Sequence, residues 1–533
     1  MNIARTLCLF TVAVLTLVGC RHECNSDKKI FRYNESAGIN TLDPAFAKDQ
    51  AHIWVCSQLY NGLVQLDSML HVQPAIAHSW EITDEGTTYT FHLRQDVRFH
   101  SSPLLGRDSS RTVVADDFCY SLGRILDPLV ASPGRWIFAE VADNGFQAID
   151  DSTFQIKLKR PFAPFLSLLS MPYCSVVPRE VVEHYGSDFR KHPCGTGPFF
   201  MQWWQEGEKL VMRRNNHYFE HDEDGQSLPY LDAVSVTFII DKQTAFLEFV
   251  KGNLDFMNSI DAGYKDEILT RTGQLKKPYD ERINMVSTPY LNTEYLGFRM
   301  DGGNTVLKDR RVRQAINYGF DRVKMMKYLR NNVGAPGLAG FVPRGLDGGC
   351  KTGYNYDPQK ASNLLSEAGY PGGKGLPTLV MSTTSSYLDL CKYIQQQLAL
   401  IGINVQIDVH QPASLREAIA QGKCDWFRGS WVADYPDAQN YLSLFASENF
   451  APNGPNYTHF SSRQYDMVYK KTVSASDETE RIVMYRILDS IVTSEAPVVV
   501  LYYDQILHFT HKNISGLRSN AMNALDLRHV RKD

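Results

Sequence analysis

Two adjacent segments carry residue types at spacings that could bind a metal ion. His217, Glu220 and His221 have the His-x-x-Glu-His spacing of inverted zinc proteases, a chemistry that needs both histidines on one face of a helix. The acidic run at 222–225 could supply oxygen ligands for calcium. However, Asn215-Asn216 before the first segment is typical of irregular chain, and the acidic run lacks the remaining positions of an EF-hand loop. The sequence therefore predicts a solvated turn here and no metal site.

The rest of the chain offers no catalytic pattern. It has no Gly-x-Ser-x-Gly elbow, no Walker loop and no dinucleotide-binding glycine fingerprint. None of the ten cysteines forms a Cys-x-x-Cys pair, so zinc-ribbon and thioredoxin-like sites have no support. We therefore expect a protein that is not an enzyme and that holds no cofactor.

A third segment combines Arg428, Trp431, Asp434 and Tyr435, side chains that could all contact a ligand. A carboxylate can bind an ammonium group, a guanidinium can bind a carboxylate, and aromatic rings can form an apolar wall. Each side chain also has a structural explanation. Residues 434–437 (Asp-Tyr-Pro-Asp) are typical of a turn that starts a helix, while Trp431 would be a core aromatic and Arg428 a surface cation. Residue types alone leave these alternatives open.

The first twenty residues differ from the rest of the chain. Arg5 gives a positive start, and residues 6–18 form an apolar run of about 13 residues, shorter than the roughly 20 needed to span a bilayer. This pattern predicts a cleavable export signal at 1–19. The ending Leu-Val-Gly-Cys is similar to a bacterial lipobox, which implies that Cys20 is lipidated and that 20–29 is the anchored tether. The alternative is an ordinary signal peptide with an incidental cysteine.

Length and composition indicate a globular body made of more than one part. A chain of 533 residues exceeds a single hydrophobic core, so two or three substructures are expected. With 55 basic and 59 acidic residues the formal charge is −4, so the composition shows no excess of positive charge that would indicate nucleic-acid binding. No second apolar run is long enough to cross a membrane. An exported compartment permits disulfides, but their pairing cannot be read from the sequence.

Local patterns predict strands in the first half and an α/β rhythm in the second. Alternation predicts strands at 88–94, 209–213 and 233–240, and the spacing of apolar residues predicts a helix over 112–126. Later segments predict three helices and a strand. The first helix is capped by Asp309 and runs to Phe320, and the second is opened by Asp357-Pro358 and ended by Gly369. A third helix is expected at 388–400, and a strand at 403–409 after Gly402. A strand-helix-strand rhythm is typical of a sheet covered by helices.

These segments occur in the same order as motifs of a known family. The matching residues cover nearly the whole mature chain, and they are 42–44, 59–63, 77–100, 115–124, 195–199 (Gly-Thr-Gly-Pro-Phe), 229–232, 312–322, 361–370 and 431–437 (Trp-Val-Ala-Asp-Tyr-Pro-Asp). Each motif alone is weak, and together they are specific. The chain resembles the oligopeptide- and dipeptide-binding proteins of bacterial ABC importers, within family 5 of the extracellular solute-binding proteins.

The resemblance implies an α/β, two-lobed periplasmic-binding-protein fold (type II-like, cluster C) with an additional α+β domain. By analogy, lobe I combines 30–54, 175–275 and 497–533, the extra domain is 55–174, and lobe II is 276–496. The chain would cross between lobes near Lys277-Pro278 and near 495–497. A ligand would be bound between the lobes and buried when they close.

The resemblance also implies which residues bind the ligand. A peptide would be held largely through its backbone, as an added strand. Asp434 would pair with its α-ammonium group, Trp431 and Tyr435 would line the cleft, and Arg428 would meet the carboxylate end of peptides of some lengths. Where the family has asparagine, this chain has Arg299, which implies either a preference for acidic ligands or an internal ion pair.

The implied function is capture of short peptides by an anchored, monomeric protein at the extracytoplasmic face of the cell envelope. Its partners would be the permease and ATPase subunits of an ABC importer, and the membrane through the lipid on Cys20, but not nucleic acid. Two alternatives remain. The same fold could carry a nickel chelate, haem, an oligosaccharide or an opine, or the chain could be a surface lipoprotein for sensing or adhesion.

Overall fold

The computed structural model describes residues 28–261, 263–475 and 477–533. The predicted signal segment and Cys20 lie outside these described residues. Within them, no helix is both long and apolar enough to cross a membrane.

One sheet of eleven strands runs through the whole molecule. Its path is β15-β14-β16-β12-β17-β11-β1-β10-β9-β8, with β13 paired to β17. The strands are β1 Ile30–Asn34, β8 Phe199–Gln205, β9 Lys209–Arg214, β10 Ala233–Thr237, β11 Phe256–Asn258, β12 Ile283–Phe298, β13 Ala335–Pro336, β14 Leu379–Thr384, β15 Val405–His410, β16 Trp426–Val432 and β17 Val498–His511. We call the part built on β1 and β8–β11 the first lobe, and the part built on β14–β16 the second lobe.

The two longest strands of this sheet, β12 and β17, belong to both lobes. They are antiparallel, and 283–289 pairs with 505–511 beside the first lobe, while 293–297 pairs with 498–503 beside the second. The register shifts between Pro289 and Thr293, so the regular ladder is interrupted where the chain passes from one lobe to the other.

Smaller sheets complete the first lobe. A four-stranded sheet has the order β4-β5-β7-β6, and two hairpins pair β2 with β3 and β18 with β19. These strands are β2 Val64–Leu66, β3 Val72–Pro74, β4 Ala77–Thr83, β5 Thr88–Leu93, β6 Val141–Asp150, β7 Thr153–Leu158, β18 Ile514–Ser515 and β19 Arg531–Lys532. The four-stranded sheet and the first-lobe part of the large sheet share one continuous hydrophobic cluster.

Helices cover the sheets of both lobes. They are α1 Gln50–Leu59, α2 Ala115–Leu126, α3 Phe165–Leu168, α4 Arg179–Tyr185, α5 Lys242–Val250, α6 Lys265–Ile268, α7 Tyr279–Arg282, α8 Arg310–Tyr318, α9 Arg322–Leu329, α10 Pro358–Glu367, α11 Leu388–Ala399, α12 Pro412–Ala420, α13 Gln439–Leu442, α14 Arg463–Ser474 and α15 Glu478–Glu495. Two hydrophobic clusters lie in the second lobe, one containing Leu291 and Tyr441 and the other containing Leu296 and Trp426.

The predicted elements are confirmed, with shifted ends that have local causes. The helix predicted from 112 begins at Ala115, because Thr112 forms a β-bridge with Arg98 and the Asp117 carboxylate caps the backbone N–H of Val114 at 2.9 Å. The strand predicted to reach 240 ends at Thr237, where the Asn34 side chain accepts from the N–H of Ile239.

Aspartate caps start two of the predicted helices as expected. The Asp309 carboxylate accepts from the N–H of Arg311 at 2.8 Å, and that of Asp357 accepts from Lys360 at 2.9 Å. Gly369, predicted as a C-terminal stop, has a φ of +94°, which is accessible to glycine at little cost.

Candidate functional site

A cleft with a cavity volume of about 920 Å³ lies between the two lobes. Its first-lobe wall is formed by α1, by segments around Tyr173 and Tyr218, and by the C-terminal segment 518–529. Its second-lobe wall is the segment 432–436, which follows β16. A cavity between two lobes is a usual place for a small ligand.

The crossing strand β12 closes the inner end of the cleft. The Leu291 N–H donates to the carbonyl of Ala521 in the first-lobe wall at 2.9 Å, and the Leu291 carbonyl accepts from the N–H of Ala433 in the second-lobe wall at 2.9 Å. Tyr290, the preceding residue, lines the cavity. The two walls therefore meet on one residue, and the neighbours Asp434, Asn520 and Met522 line the same cavity.

The C-terminal segment is held firmly against α1. The Trp54 indole N–H donates to the Asn523 carbonyl at 2.7 Å, and the Gln58 amide donates to the Leu525 carbonyl at 2.7 Å. His508 on β17 bonds the Asn523 side chain at 2.9 Å. These buried side chains satisfy carbonyl groups that no strand partner reaches, so the wall keeps a defined shape.

Asp434, predicted to bind an ammonium group, lines the cleft as an unpaired carboxylate. Its side chain is exposed to the cleft, and no cation of the described residues lies within 4.0 Å of it. Its one side-chain partner is the Asn440 amide, which donates to Oδ2 at 3.2 Å. Burial by the surrounding walls raises the pKa of Asp434, and the Asn440 hydrogen bond opposes this shift only in part.

The turn explanation of Asp434 is compatible with this position. The Asn440 Oδ1 accepts from the backbone N–H of Asp434 at 3.3 Å and from the Trp431 indole at 2.8 Å. Asn440 lies on α13, which begins at Gln439, and the Asp437 carboxylate accepts from the N–H of Gln439 at 2.8 Å. The segment is thus a turn leading into a short helix, and it presents the Asp434 carboxylate outward.

Tyr435 reaches across the cleft, whereas Trp431 lies outside its lining. The Tyr435 ring is buried within the hydrophobic cluster of the first lobe and packs against Trp136 with ring centroids 6.2 Å apart. Its hydroxyl donates to Gln439. Trp431 instead packs, partly buried, against the second-lobe cluster that contains Tyr441. A backbone bond from Ala163 N–H to the Val473 carbonyl, 3.1 Å, also joins the lobes.

Arg428 is neutralised inside the second lobe and does not line the cleft. It forms a buried ion pair with Glu294 on the neighbouring strand β12, and its guanidinium carbon lies 3.3 Å from the centroid of the Tyr387 ring. Burial raises the pKa of Glu294, and the positive charge of Arg428 opposes that shift. Arg299 also forms an internal ion pair, with Asp301 at 2.8 Å, which is the second of the two alternatives that its position implied.

A charged cluster that the sequence analysis missed lies in the first-lobe wall. Arg528 donates to both oxygens of Asp526, at 2.9 and 2.8 Å, to Gln65 at 2.6 Å, and to Glu220. Burial favours a raised pKa for Asp526, but the Arg528 charge and hydrogen bonds prevail and lower it to about 2. Glu220 is the acid of the His-x-x-Glu-His spacing, and that segment is irregular chain, as the asparagines before it indicate.

Two cations in the cleft lining have no acidic partner among the described residues. Arg518 and Lys48 are exposed, and neither side chain forms an ion pair or a hydrogen bond there. No sequence signal marks them, because an exposed arginine or lysine in irregular chain has no periodicity or motif. Groups of three or more side chains that could hold a metal ion are absent from the described residues.

Comparison with known proteins agrees with this architecture. A family model described as bacterial extracellular solute-binding proteins, family 5, matches residues 71–453. The glutathione-binding protein GsiB of Shigella dysenteriae is 27% identical over 487 residues, 90% of each chain.

Solved structures extend the likeness to the whole fold. HbpA2 of Haemophilus parasuis superposes with a TM-score of 0.83 at 22% identity, over 95% of this chain and 100% of that one. The periplasmic binding protein DppA of Helicobacter pylori, in complex with the peptide STSA, has a TM-score of 0.74 at 24% identity, over 95% and 99%. The predicted two-lobed periplasmic-binding-protein fold is confirmed.

Proposed function

The chain belongs to family 5 of the bacterial extracellular solute-binding proteins, and from this premise we propose that the solute it captures is a short peptide with a free α-ammonium group. As a member of this family it is the solute-binding component of an ABC importer and not an enzyme. Its place is the extracellular or periplasmic side of the membrane. What we propose concerns the cargo, the residues that bind it and the anchor.

The unpaired Asp434 carboxylate is the observation that carries this proposal. It lines the cleft without a cation, and its pKa is raised because the walls desolvate it. Closing the cleft around such a group costs free energy unless the ligand supplies a positive charge. An ammonium group at the start of a peptide supplies that charge at one defined end, which also orients the chain of the ligand.

The remaining lining suits a peptide backbone. Uncharged hydrogen-bonding side chains are distributed along the first-lobe wall: Gln50, Asn61, Gln65, Gln73, Ser175 and Asn520. Each already makes a hydrogen bond within the protein, so a ligand would use the donors and acceptors that remain. Peptide N–H and C=O groups need such partners once water leaves the cleft. Tyr435 and Trp136 contribute an apolar part of the boundary, where their rings pack against each other.

The names of relatives support a peptide and suggest its size. The GsiB proteins are named for binding glutathione, a tripeptide, and the Helicobacter pylori DppA structure holds a four-residue peptide. Asp434 favours cargo of this kind over the carriage of a nickel chelate, haem or an oligosaccharide, none of which needs an ammonium anchor. Glutathione is therefore the first ligand to test.

We propose that the lobes move about the centre of β12 and β17. The predicted division places 276–496 in lobe II, with crossings near Lys277-Pro278 and 495–497. The pairing of 283–289 with 505–511, and the sharing of Ile283 and Phe509 in one first-lobe cluster, support crossings further along, at 289–293 and 503–505. The extra domain predicted at 55–174 would move with lobe I, since both share one hydrophobic cluster.

Anchoring through Cys20 is part of the same proposal. A lipidated cysteine at the start of the mature chain would keep the binding protein beside the permease and ATPase that receive its cargo. The lipobox-like end of the predicted signal supports this anchor. Mass measurement of the mature N-terminus tests it, because diacylglycerol and an amide-linked acyl chain add a mass that trimming alone does not.

Native mass spectrometry of the gently purified protein, followed by denaturation to release what is bound, tests the cargo. We expect short peptides at near one-to-one total occupancy. A single non-peptide mass would keep the transport function and replace the cargo. An empty protein that neither glutathione nor a peptide library stabilises against heat would contradict the proposal and favour sensing or adhesion.

A further inference from the structure

We propose that Arg518 binds the carboxylate end of the cargo and so restricts the cleft to short peptides with a free C-terminus. This inference rests on the proposed function, because it assumes a peptide whose α-ammonium pairs with Asp434. It differs from what the family resemblance implies, which gives the carboxylate to Arg428.

Side chains of both charges line the cleft. Most of them have a partner within their own wall: Arg94 forms an ion pair with Asp96 at 3.0 Å, and the carboxylates of Asp49 and Asp67 contact the imidazoles of His52 at 2.6 Å and His71 at 3.4 Å. In the Arg528 cluster, one guanidinium contacts the carboxylates of both Asp526 and Glu220, so each charge there has an ion-pair contact. Among the described residues only Asp434, Arg518 and Lys48 line the cavity with a full charge and have neither an oppositely charged group nor an imidazole within 4.0 Å.

Arg518 and Lys48 lie at different places in the lining of the cleft. Arg518 forms a β-bridge with Asp526 and lies three residues before Ala521, whose carbonyl binds the Leu291 N–H at the inner end of the cleft. Asp434 follows Ala433, which binds the other side of Leu291. The free anion is thus one residue, and the free guanidinium three residues, from the two backbone partners of Leu291, and both side chains line the same cavity. Lys48 lies beyond the N-terminus of α1 and also borders a separate surface hollow.

The support of Arg518 suits a binding residue. The segment that follows it is pinned to α1 and β17 through Asn523 and Leu525. The guanidinium itself makes no hydrogen bond to the described residues, so all its donors remain available. A planar guanidinium can bind both oxygens of a carboxylate, which gives direction as well as attraction.

Arg428 cannot take this role while its pair with Glu294 persists. Its charge is already compensated by a carboxylate that is almost completely buried, and it lies outside the lining of the cleft. Freeing it would leave Glu294 as an unpaired buried anion, a state that costs several kcal/mol. Arg518 has no such competitor. Burial lowers the pKa of His529, while the charges of Asp526 and Arg518 act on it in opposite directions.

Calorimetric titration of a peptide acid and its C-terminal amide tests the assignment. The probes are glutathione and trialanine, each as the free acid and as the amide. We expect wild-type protein to bind the acid roughly 10- to 100-fold more tightly than the amide, the range of a charge-assisted hydrogen bond. Arg518→Gln should bind both forms equally, at the affinity of the amide.

Lys48→Gln is the matched control, since it removes an equal charge from the same cleft and should retain the preference for the acid. Thermal melting verifies that Arg518→Gln is folded. If Arg518→Gln keeps the full preference, or if wild-type protein binds acid and amide equally, peptide binding stands and this assignment is wrong. If wild-type protein binds neither probe in either form, the proposed function fails and this inference fails with it.

Discussion

The two walls of the cleft use charge in opposite ways. In the first-lobe wall, Arg528 is surrounded by Asp526, Glu220 and Gln65, so that cation and anions satisfy each other. In the second-lobe wall, Asp434 has only an amide partner among the described residues. A charge needs a partner once water is excluded from around it. The first cluster is paired by the fold, and the second group is left for a ligand.

The same contrast separates two arginines that residue type alone cannot distinguish. Arg428 is paired with Glu294 and stacked on Tyr387. Arg518 is exposed in the cleft and has no partner among the described residues. We therefore expect substitutions of the paired groups to change stability, and substitutions of the unpaired groups to change binding.

The largest expected effect is on stability, from Arg528→Met. This substitution leaves Asp526 and Glu220 buried without a cation, and we expect the free energy of unfolding at pH 7 to fall by about 3–5 kcal/mol. Urea denaturation followed by circular dichroism measures it. Because the pKa of Asp526 is lowered to about 2 in the folded protein, its contribution is complete above the unfolded value and is lost as the pH falls toward 2.

Arg518→Gln is the control for that comparison. It removes an arginine ten residues away in the same segment, and its unfolding free energy should stay within about 0.5 kcal/mol of wild type. Equal losses of stability in the two variants would break the distinction between paired and unpaired groups.

A second, smaller loss of stability is expected from Arg428→Met. Glu294 would remain buried without its cation, so unfolding should become easier by about 3 kcal/mol, while the folded protein should keep its affinity for peptide. Glu294→Gln combined with Arg428→Met should recover part of the loss. If Arg428→Met instead abolishes the preference for a peptide acid over its amide and leaves stability unchanged, Arg428 binds the carboxylate, as the family resemblance implies.

The pH dependence of binding sharpens the comparison further. Since burial raises the pKa of Asp434, the carboxylate becomes protonated at a higher pH than an ordinary aspartate. Only the ionised form pairs with an ammonium group, so peptide affinity should fall as the pH is lowered through that pKa, by at most about tenfold per pH unit. The unfolding free energy of the ligand-free protein should change in the opposite direction and rise as the pH is lowered, because protonation removes an unpaired, partly desolvated charge.

Titrations between pH 4 and 8 with wild type and Asp434→Asn measure this effect. The nearby Tyr173 and Tyr441 have pKa values raised above those of ordinary tyrosines by burial, so they do not titrate in this range. The variant should lose the acid limb of the pH profile. A profile shared by both proteins would assign the titration to another group.

Sequence patterns predicted the parts of the molecule that depend on near neighbours. The apolar spacing and aspartate cap of α8, the Asp-Pro start of α10 and the alternation in β5 each involve residues within a few positions of one another. The turn at 434–437 was predicted for the same reason. Asp434 was proposed as a binding group only through the family resemblance, since its residue type is equally typical of a turn.

The pairing of charges could not be predicted, because the partners are far apart in the chain. Arg428 lies 134 positions from Glu294, and Arg528 lies 308 positions from Glu220. Whether an arginine is neutralised or free depends on strand register and on which segments meet at the cleft. The same limit applies to the crossings between lobes, where a register shift in β12 and β17 is visible only once the strands are paired.

The central claim is that Asp434 is left unpaired in order to bind the ammonium end of the cargo. Calorimetric titration of wild type and Asp434→Asn, each with a bound peptide and its analogue lacking the α-amino group, tests it most directly. We predict that the variant weakens peptide binding by roughly 2–5 kcal/mol, and that it has no further effect on the analogue. Unchanged peptide affinity in a folded Asp434→Asn protein would contradict the account.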